Sequence, residues 1–319
     1  MILLVDGGNL VHRCRHAFSL SSNGLDTSVT YGSLRVLSNV MERYTPEVVV
    51  FCWDGGVPAY RYRYCQTYKR HTHEDDPSYP DFLRQLAELR SILPAFGVVS
   101  AYHRHVEADD LIGQAVRMLD SDKVIMTTDK DLYQCIADDV IVYDPLKEIE
   151  ITKTNFEEIT DGVKHWEWPT YRAMVGDGSD GIPGCKGIGH KNALDILRKC
   201  GYSFLSIIDK VMDPKSDLSV GMRTKLKDYG TEGFVATLRV MRLEFDISGA
   251  RLALLEAIQS WKSFEQDTCR AFLGNNAFVS LMDPNFYKLF RRLEDPAAYL
   301  NDLEELRFPR VAPERKYYE

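Results

Sequence analysis

The sequence predicts an α/β fold with a mostly parallel central sheet, followed by a helical region. Three apolar, β-branched runs predict the inner strands, at 2–6 (ILLVD), 47–54 (EVVVFCWD) and 123–129 (KVIMTTD), and each ends in or next to an aspartate. Runs that are apolar on both faces are typical of buried parallel strands. Helical patterns alternate with these runs, as in a doubly wound sheet. Those patterns span 28–44, 79–96 and 107–119.

The remaining elements follow the same signals. A shorter strand is predicted at 97–103 and an edge hairpin at 139–152. Strand patterns end near residue 160, which places a division between 1–163, an α/β core, and 164–319, a helical region. The helices predicted there are 166–175, 189–200, 203–211, 218–229, 233–243 and 250–261, with weaker ones at 264–272 and 283–293.

Composition bounds the class of protein. The chain has 319 residues, of which 45% are hydrophobic and 27% charged, and no apolar run is long enough to span a bilayer. The N-terminus reaches Asp6 after five residues, so we expect neither a signal peptide nor a membrane partner. Seven scattered cysteines without a CxxC pair favour reduced thiols in the cytoplasm and disfavour a zinc site.

Nine carboxylates are the strongest chemical signal. Seven of them lie at predicted strand ends or in the first turn of the helix that follows, and parallel strands share one carboxyl edge. One such aspartate could simply cap a helix, but seven on one edge favour a common function. The seven are Asp6, Asp54, Glu107, Asp109, Asp110, Asp129 and Asp131, and the other two, Asp177 and Asp180, precede a glycine-rich segment.

Crowded carboxylates predict bound cations. Two like charges about 4 Å apart cost roughly 4 kcal/mol at an effective dielectric constant near 20. Oxygen ligands select hard ions, so we expect Mg²⁺ or Mn²⁺. Two such ions about 4 Å apart form the clamp used in phosphodiester cleavage. The net charge is −8; if nine acids bind metal, the rest of the chain carries +1, which permits a polyanionic substrate.

Two segments predict contacts with nucleic acid. In GDGSDGIPGCKGIGHKNALDIL, 176–197, glycines and a proline form a tight hairpin before a helix, and exposed backbone N–H groups there can cradle phosphate. The alternative is a plain glycine-rich connector. The residues predicted to contact the phosphate backbone are Gly184, Lys186, Gly187, Gly189 and Lys191.

The second segment is AYRYRYCQTYKRHTH, 59–73, where basic residues alternate with tyrosines. That pattern suits stacking and charge contacts with single-stranded nucleic acid, although a solvated amphipathic helix would give it too. We expect contacts from Arg61, Tyr64, Lys69 and Arg70. Arg13 follows Asp6 by seven residues, and spacing alone leaves open whether it faces the carboxylates.

Together these motifs resemble the 5′-nuclease family, which comprises flap endonucleases, bacteriophage 5′→3′ exonucleases and the 5′-nuclease domain of bacterial DNA polymerase I. The resemblance spans about 1–200 and rests on the following stretches, in order: VDGGNL, WDGG, YRYRYCQTYKR, VEADD, TTDKDLYQ and GDGSDGIPGCKGIGHKNA.

The resemblance implies a PIN-like core with a short helical arch at about 59–96 and a DNA-binding helix–hairpin–helix (H3TH) at about 176–201. It implies a structure-selective, Mg²⁺-dependent 5′→3′ exonuclease or flap endonuclease. Such an enzyme would bind two Mg²⁺ ions, for which Mn²⁺ can substitute. It would act in DNA replication or repair. Its partners would be DNA with a 5′ end, flap or nick and RNA/DNA hybrids. We expect a monomer in a bacterial cell or a phage-infected host.

The resemblance also assigns roles by position. Asp6, Asp54, Glu107, Asp109 and Asp110 would serve one metal. Asp129, Asp131, Asp177 and Asp180 would serve the second. Lys69 matches an arch lysine that contacts the scissile phosphate, and Arg13 matches an active-site arginine. Carbonyls of the hairpin at 181–201 would hold a K⁺ ion.

Three features depart from the family pattern. Gly181 stands where the family usually has asparagine, the segment after Lys69 is short, and no motif is matched beyond about residue 205. Because no polymerase motif follows, we expect a stand-alone nuclease. Two alternatives remain at this stage: a catalytically silent DNA-binding protein, and a PIN-like ribonuclease. The filled acidic positions disfavour the first, and the hairpin disfavours the second.

Overall fold

The computed structural model describes residues 1–22, 24–69, 76–243 and 247–301. Two compact units are found among them. The first, called the sheet unit below, consists of 1–22, 24–56, 76–150 and 247–301; the second, called the hairpin unit, consists of 57–69 and 151–243. The sequence placed all residues after 163 in one helical region, whereas the structure places 247–301 in the sheet unit.

A six-stranded sheet has the order β5-β4-β1-β6-β7-β8. The central strand β1 pairs in parallel with β4 and β6, and the pairs β4–β5 and β6–β7 are also parallel. The predicted mostly parallel sheet is therefore confirmed. The strands are β1 (Ile2–Asp6), β2 (Ser21–Ser22), β3 (Leu25–Asp26), β4 (Val48–Cys52), β5 (Val99–Ala101), β6 (Lys123–Met126), β7 (Val140–Asp144), β8 (Ile149–Ile151), β9 (Gly176–Asp177) and β10 (Ile182–Pro183).

The helices agree with the predicted patterns at most positions. They are α1 (Gly7–Ala17), α2 (Ser28–Tyr44), α3 (Ala59–Tyr64), α4 (Tyr79–Ile92), α5 (Ala108–Met118), α6 (Phe156–Ile159), α7 (Trp168–Val175), α8 (His190–Cys200), α9 (Phe204–Met212), α10 (Val220–Met241), α11 (Ser248–Gln259), α12 (Gln266–Asn275) and α13 (Pro284–Arg291). Two helices are predicted within α10, and Gly230, with a φ of 71°, interrupts it there.

The sequence patterns did not predict α1, because glycine disfavours a helix and two glycines begin it. Packing explains them. A Cβ on Gly7 would lie 2.3 Å from a ring carbon of Phe51 and 2.5 Å from the carbonyl oxygen of Cys52. The start of α1 can therefore approach β4 this closely only because Gly7 has no side chain.

The core of the sheet unit explains why the last helices belong to it. Leu3 of β1 and Val49 of β4 are fully buried, as are Cys269 and Leu273 of α12 and Phe290 of α13. All five belong to one apolar cluster. Burying an apolar side chain of this size contributes about 1.5–3 kcal/mol, so α12 and α13 add substantially to the stability of the sheet unit.

The hairpin unit has a core of its own. Ala173 of α7, Ile196 of α8, Ile207 of α9 and Phe234 of α10 pack into a separate apolar cluster. This cluster holds α7 and α8 on either side of the β9–β10 hairpin. In the described part of the chain, no helix combines the length and the apolar character needed to cross a membrane.

Candidate metal centre and nucleic-acid interface

Asp6 is the last residue of β1 and lies at the carboxyl edge of the sheet. Its side chain accepts hydrogen bonds from the N–H of Asn9, at 3.0 Å, and from the hydroxyl of Thr127, at 2.7 Å. Only 3% of the residue is exposed. Asp6 therefore caps α1 and joins it to the segment after β6.

The charge around Asp6 is crowded. Burial raises the pKa of Asp6 from 3.8 to about 7, and the charges of Asp54 and Asp129 add to the rise. The same crowding affects Cys52, at the end of β4: burial and then the charges of Asp6, Asp54 and Asp109 raise the pKa of its thiol well above the ordinary value. These four carboxylates thus share one electrostatic environment.

Asp54 lies two residues beyond β4 and is exposed. One of its oxygens accepts from the N–H of Ala108 at 3.0 Å, which fixes it to the start of α5. A Cβ on Gly8 would lie 1.7 Å from its other oxygen. Gly8 therefore makes room for the Asp54 carboxylate, a role that the local sequence does not indicate.

The VEADD stretch begins α5 at this edge. Glu107 precedes the helix, and Asp109 and Asp110 lie in its first turn. Glu107 and Asp110 are buried, whereas Asp109 is half-buried. Asp109 also affects Cys135: burial, followed by the Asp109 charge, raises the pKa of that thiol to about 12.

Asp129 and Asp131 belong to the turn after β6. The N–H of Asp131 donates to Asp129 at 2.7 Å, and the N–H of Asp129 donates to the hydroxyl of Thr127 at 2.9 Å. Asp131 is buried and Asp129 is half-buried. The structure thus brings all seven predicted carboxylates of this unit to the same edge of the sheet.

A polar network that was not predicted from the sequence supports this edge. The side-chain oxygen of Asn9 accepts from the hydroxyl of Thr128 at 3.0 Å and from Nε of Arg13 at 3.1 Å. Arg13 is therefore held on the side of α1 that adjoins the Asp129 turn. The motifs DGGN and TTD contain Asn9, Thr127 and Thr128, so their polar residues next to the aspartates were the available signal.

The donor set fits a hard divalent cation, although it is not a closed cage. Among the described residues, no three histidine, cysteine or acidic side chains converge closely enough to ligate one ion directly. Mg²⁺ usually keeps several waters and uses one or two carboxylates. A buried carboxyl whose pKa is raised by neighbouring acids is the environment in which such a cation relieves repulsion.

The other two predicted ligands belong to the hairpin unit, where cations accompany them. Asp177 forms an ion pair with Arg172, and its other oxygen accepts from the N–H of Ser179 at 2.8 Å. Burial opposes ionisation of Asp177, but the hydrogen bonds from Ser179 and Arg172 outweigh it and lower its pKa. Nζ of Lys69 lies 3.9 Å from a carboxylate oxygen of Asp180.

Lys69 is fixed by its backbone as well. Its φ is 44°, in the left-handed region, and its N–H donates to the carbonyl of Asp180 at 2.9 Å. The neighbouring Thr67 hydroxyl donates to the carbonyl of Gly181 at 2.7 Å. The segment after α3 is thus anchored to the β9–β10 hairpin.

The basic, tyrosine-rich segment differs from its prediction. The helix α3 ends at Tyr64, so it covers only the first part of the segment 59–73. Arg61 is only 1% exposed, and its Nε donates to the carbonyl of Val240 at 3.2 Å. Its burial corrects the expectation that Arg61 contacts DNA, since it packs α3 against α10. The predicted contact Arg70 lies outside the described residues.

Tyr64 is half-buried, and its hydroxyl accepts a hydrogen bond from Arg239 at 2.6 Å. Like Arg61, it links α3 to α10. Its role as a nucleic-acid contact stays a prediction.

The glycine-rich loop runs between β10 and α8. Lys186 and Lys191 are exposed, as are Gly187 and Gly189, whereas Gly184 packs against the backbone of Val175, where a Cβ would lie 2.3 Å from its carbonyl. The carbonyl oxygen of Gly187 accepts from Nζ of Lys225 at 3.0 Å. One carbonyl oxygen of this loop is thus already hydrogen-bonded to an ammonium group.

Comparison with known proteins decides the family. The model of the 5′-3′ exonuclease N-terminal, resolvase-like domain matches residues 1–161. A 5′-3′ exonuclease of Bacillus subtilis is 31% identical over 238 residues, which cover 71% of this chain and 77% of the relative. The chain belongs to the 5′-3′ exonuclease family.

Two further similarities extend beyond the matched domain. The thermostable DNA polymerase I of Thermus thermophilus is 30% identical over 317 residues, which cover 97% of this chain but only 35% of the polymerase. The chain therefore spans about a third of the length of that relative. The flap endonuclease of bacteriophage T5, solved with DNA and metal ions, has a TM-score of 0.65 at 19% identity, covering 86% of this chain and 99% of its own. The predicted resemblance to 5′-nucleases is confirmed, and so is the α/β fold with a mostly parallel sheet and a helical C-terminal region. The helix–hairpin–helix stays a prediction.

Proposed function

We propose that this member of the 5′-3′ exonuclease family is a divalent-metal-dependent 5′-nuclease. It would hydrolyse phosphodiester bonds near the 5′ ends of DNA, at flaps or nicks, and in RNA primers paired with DNA. The observation that carries the proposal is the crowding of Asp54 and Asp129 around the buried Asp6, whose pKa rises to about 7. Its relatives support the reaction class, since they include a 5′-3′ exonuclease.

The residues proposed to hold two Mg²⁺ ions, or Mn²⁺ in their place, are the seven carboxylates of the sheet edge together with Asp177 and Asp180. When bound, the ions would lower the pKa of the attacking water and offset charge on the phosphate. Asn9 and Thr127 hold Asp6, and Gly8 leaves space for Asp54, so these side chains are positioned before any ion binds. Arg13, held by Asn9, is proposed to orient the phosphate.

The remaining roles belong to the hairpin unit. Lys69 is proposed to contact the phosphate near the cleavage point, and the exposed Lys186 and Lys191 to bind the duplex backbone as part of a helix–hairpin–helix. A K⁺ ion at Gly187 would have to displace the ammonium of Lys225. We further propose a monomer that works in the bacterial cytoplasm or in a phage-infected host, where its seven buried free cysteines stay reduced.

The test is cleavage of four 5′-labelled substrates: a 5′ flap, a nicked duplex, a blunt duplex and an RNA-primed duplex. With Mg²⁺ we expect short 5′ products from at least the flap or nicked duplex, and none in EDTA. Binding without cleavage in Mg²⁺ and Mn²⁺ would instead favour the catalytically silent DNA-binding protein. Cleavage of single-stranded RNA alone would favour a PIN-like ribonuclease.

A further inference from the structure

The segment 102–106 (YHRHV) joins β5 to the carboxylates at the start of α5 and contains no acid. It leaves the sheet beside the segment after β4, because Cys52 and Ala101 are paired neighbours in parallel strands. Arg104 and His105 are exposed. The chain thus places an exposed cation at the same edge that collects its acidic side chains.

Backbone hydrogen bonds hold this segment in one shape. Gly55 donates to the carbonyl of Val106 and accepts from the N–H of His105, both at 2.8 Å. A Cβ on Gly55 would lie 1.7 Å from the carbonyl oxygen of His103, so only glycine allows this approach. His105 has a φ of 63°, a left-handed conformation that costs a residue with a side chain about 1 kcal/mol or more. The surroundings therefore impose this conformation.

The side chain of Arg104 is not used to neutralise the acids nearby. Among the residues that the structure describes, its guanidinium has no hydrogen-bond or ion-pair partner. By contrast, Arg90 at the same edge is covered by the ring of Tyr102, with its guanidinium carbon 3.8 Å from the ring centre. Arg104 thus keeps all of its donors for a ligand, and a guanidinium matches the geometry of a phosphate.

We propose that the segment 102–106 is a phosphate-backbone contact for the nucleic-acid substrate, with Arg104 as the cation that binds it. The proposal rests on the proposed function, because it takes the substrate to be nucleic acid. A cation on a rigid segment beside the acidic edge would hold the strand at a fixed distance from the carboxylates. Arg104 would then be a positioning residue for the cleavage reaction.

The experiment compares two exposed arginines of the sheet unit at opposite ends of β5. Arg270 lies on α12, which packs against the turn before β5, as the hydrogen bond from Glu265 to Ala95 shows. Arg104→Gln and Arg270→Gln remove the same charge from exposed positions. Binding of a 5′-flap duplex is measured in EDTA over a series of KCl concentrations, and thermal unfolding confirms that both variants fold.

We expect Arg104→Gln to weaken binding about fivefold and to reduce the slope of log affinity against log salt by about 0.7–0.9. Arg104→Lys should restore most of the slope, whereas Arg270→Gln should match the wild type. Equal effects of the two glutamine variants, or no effect of Arg104→Gln, would overturn the proposal. If the wild-type protein cleaved the flap and Arg104→Gln bound it with normal affinity, this inference alone would be overturned. If the wild-type protein neither bound nor cleaved the flap, the proposed function would be overturned.

Discussion

The two groups of carboxylates differ in how their charge is offset. In the sheet unit, burial and the charges of neighbouring acids raise the pKa of Asp6 to about 7. In the hairpin unit, Ser179 and Arg172 lower the pKa of Asp177 in spite of burial, and Lys69 lies near Asp180. The first group gains most from a divalent cation, while the second already has cations of the protein beside it.

This difference leads to an order of binding. A divalent ion at the sheet edge relieves repulsion, whereas an ion at Asp177 must compete with Arg172. We therefore expect one tight and one weaker metal site.

The largest effect is expected for Asp129→Ala. Loss of this carboxylate should reduce cleavage of a 5′-flap substrate by about 10²–10³-fold, the typical cost of removing one electrostatic stabiliser. Single-turnover cleavage in Mg²⁺ measures the loss. Binding of the same DNA in EDTA should be nearly unchanged, which serves as the control for folding. If this variant cleaved the substrate at the wild-type rate, Asp129 would not belong to the metal centre.

Lys69→Ala should have a smaller effect, about 10- to 100-fold on the single-turnover rate, because its ammonium is proposed to contact the phosphate. DNA affinity should fall less than the rate does. Lys191→Ala is a suitable comparison, since it removes an exposed lysine of the same unit and should affect mainly affinity. If Lys69→Ala instead reduced affinity alone, Lys69 would be a binding residue only.

The pH dependence of stability should have opposite signs in the two units. A raised pKa means that the stability contributed by protonated Asp6 is complete below pH 3.8 and is lost as the pH rises through about 7. The pKa of Asp177 is lowered, so its ionised carboxylate stabilises the fold above pH 3.8. This stability is lost as the pH falls through the lowered pKa.

Denaturant unfolding of the metal-free protein at pH 5 and pH 8 measures the first effect. For Asp6 the fall in unfolding free energy between these two pH values amounts to at most roughly 3 kcal/mol. In Asp6→Asn, the unfolding free energy should fall much less between these pH values. In Asp177→Asn, it should fall as it does in the wild type. A fall that is equally large in Asp6→Asn would show that Asp6 does not titrate in this range.

The fold and the acidic edge were largely predictable from the sequence, because local patterns encode them. Buried strands with an aspartate at or just beyond the end are visible in ILLVD and KVIMTTD, and parallel pairing brings those ends together. The helix α1 was missed since its two glycines have low helix propensity, and their reason lies in Phe51 and Asp54, far away in sequence.

Other features depend on tertiary contacts that a sequence does not display. Arg61 reads as a surface cation, yet it is buried against the carbonyl of Val240. Gly181 departs from the family pattern, and the structure supplies a reason: its φ is 68° and a Cβ would lie 2.5 Å from the carbonyl of Thr67. Long-range packing of this kind determined most of the differences between prediction and structure.

The central claim is that the carboxylates of the sheet edge form the tighter metal site. Asp129 is counted among them because its charge acts on Asp6, although the family resemblance groups it with Asp177. Calorimetric titration of Mn²⁺ into metal-free protein tests it directly, with wild type, Asp129→Ala and Asp177→Asn compared at the same pH. We predict that Asp129→Ala loses the tighter binding event, whereas Asp177→Asn keeps it and loses the weaker one. A tight event that survives in Asp129→Ala and disappears in Asp177→Asn would contradict the claim.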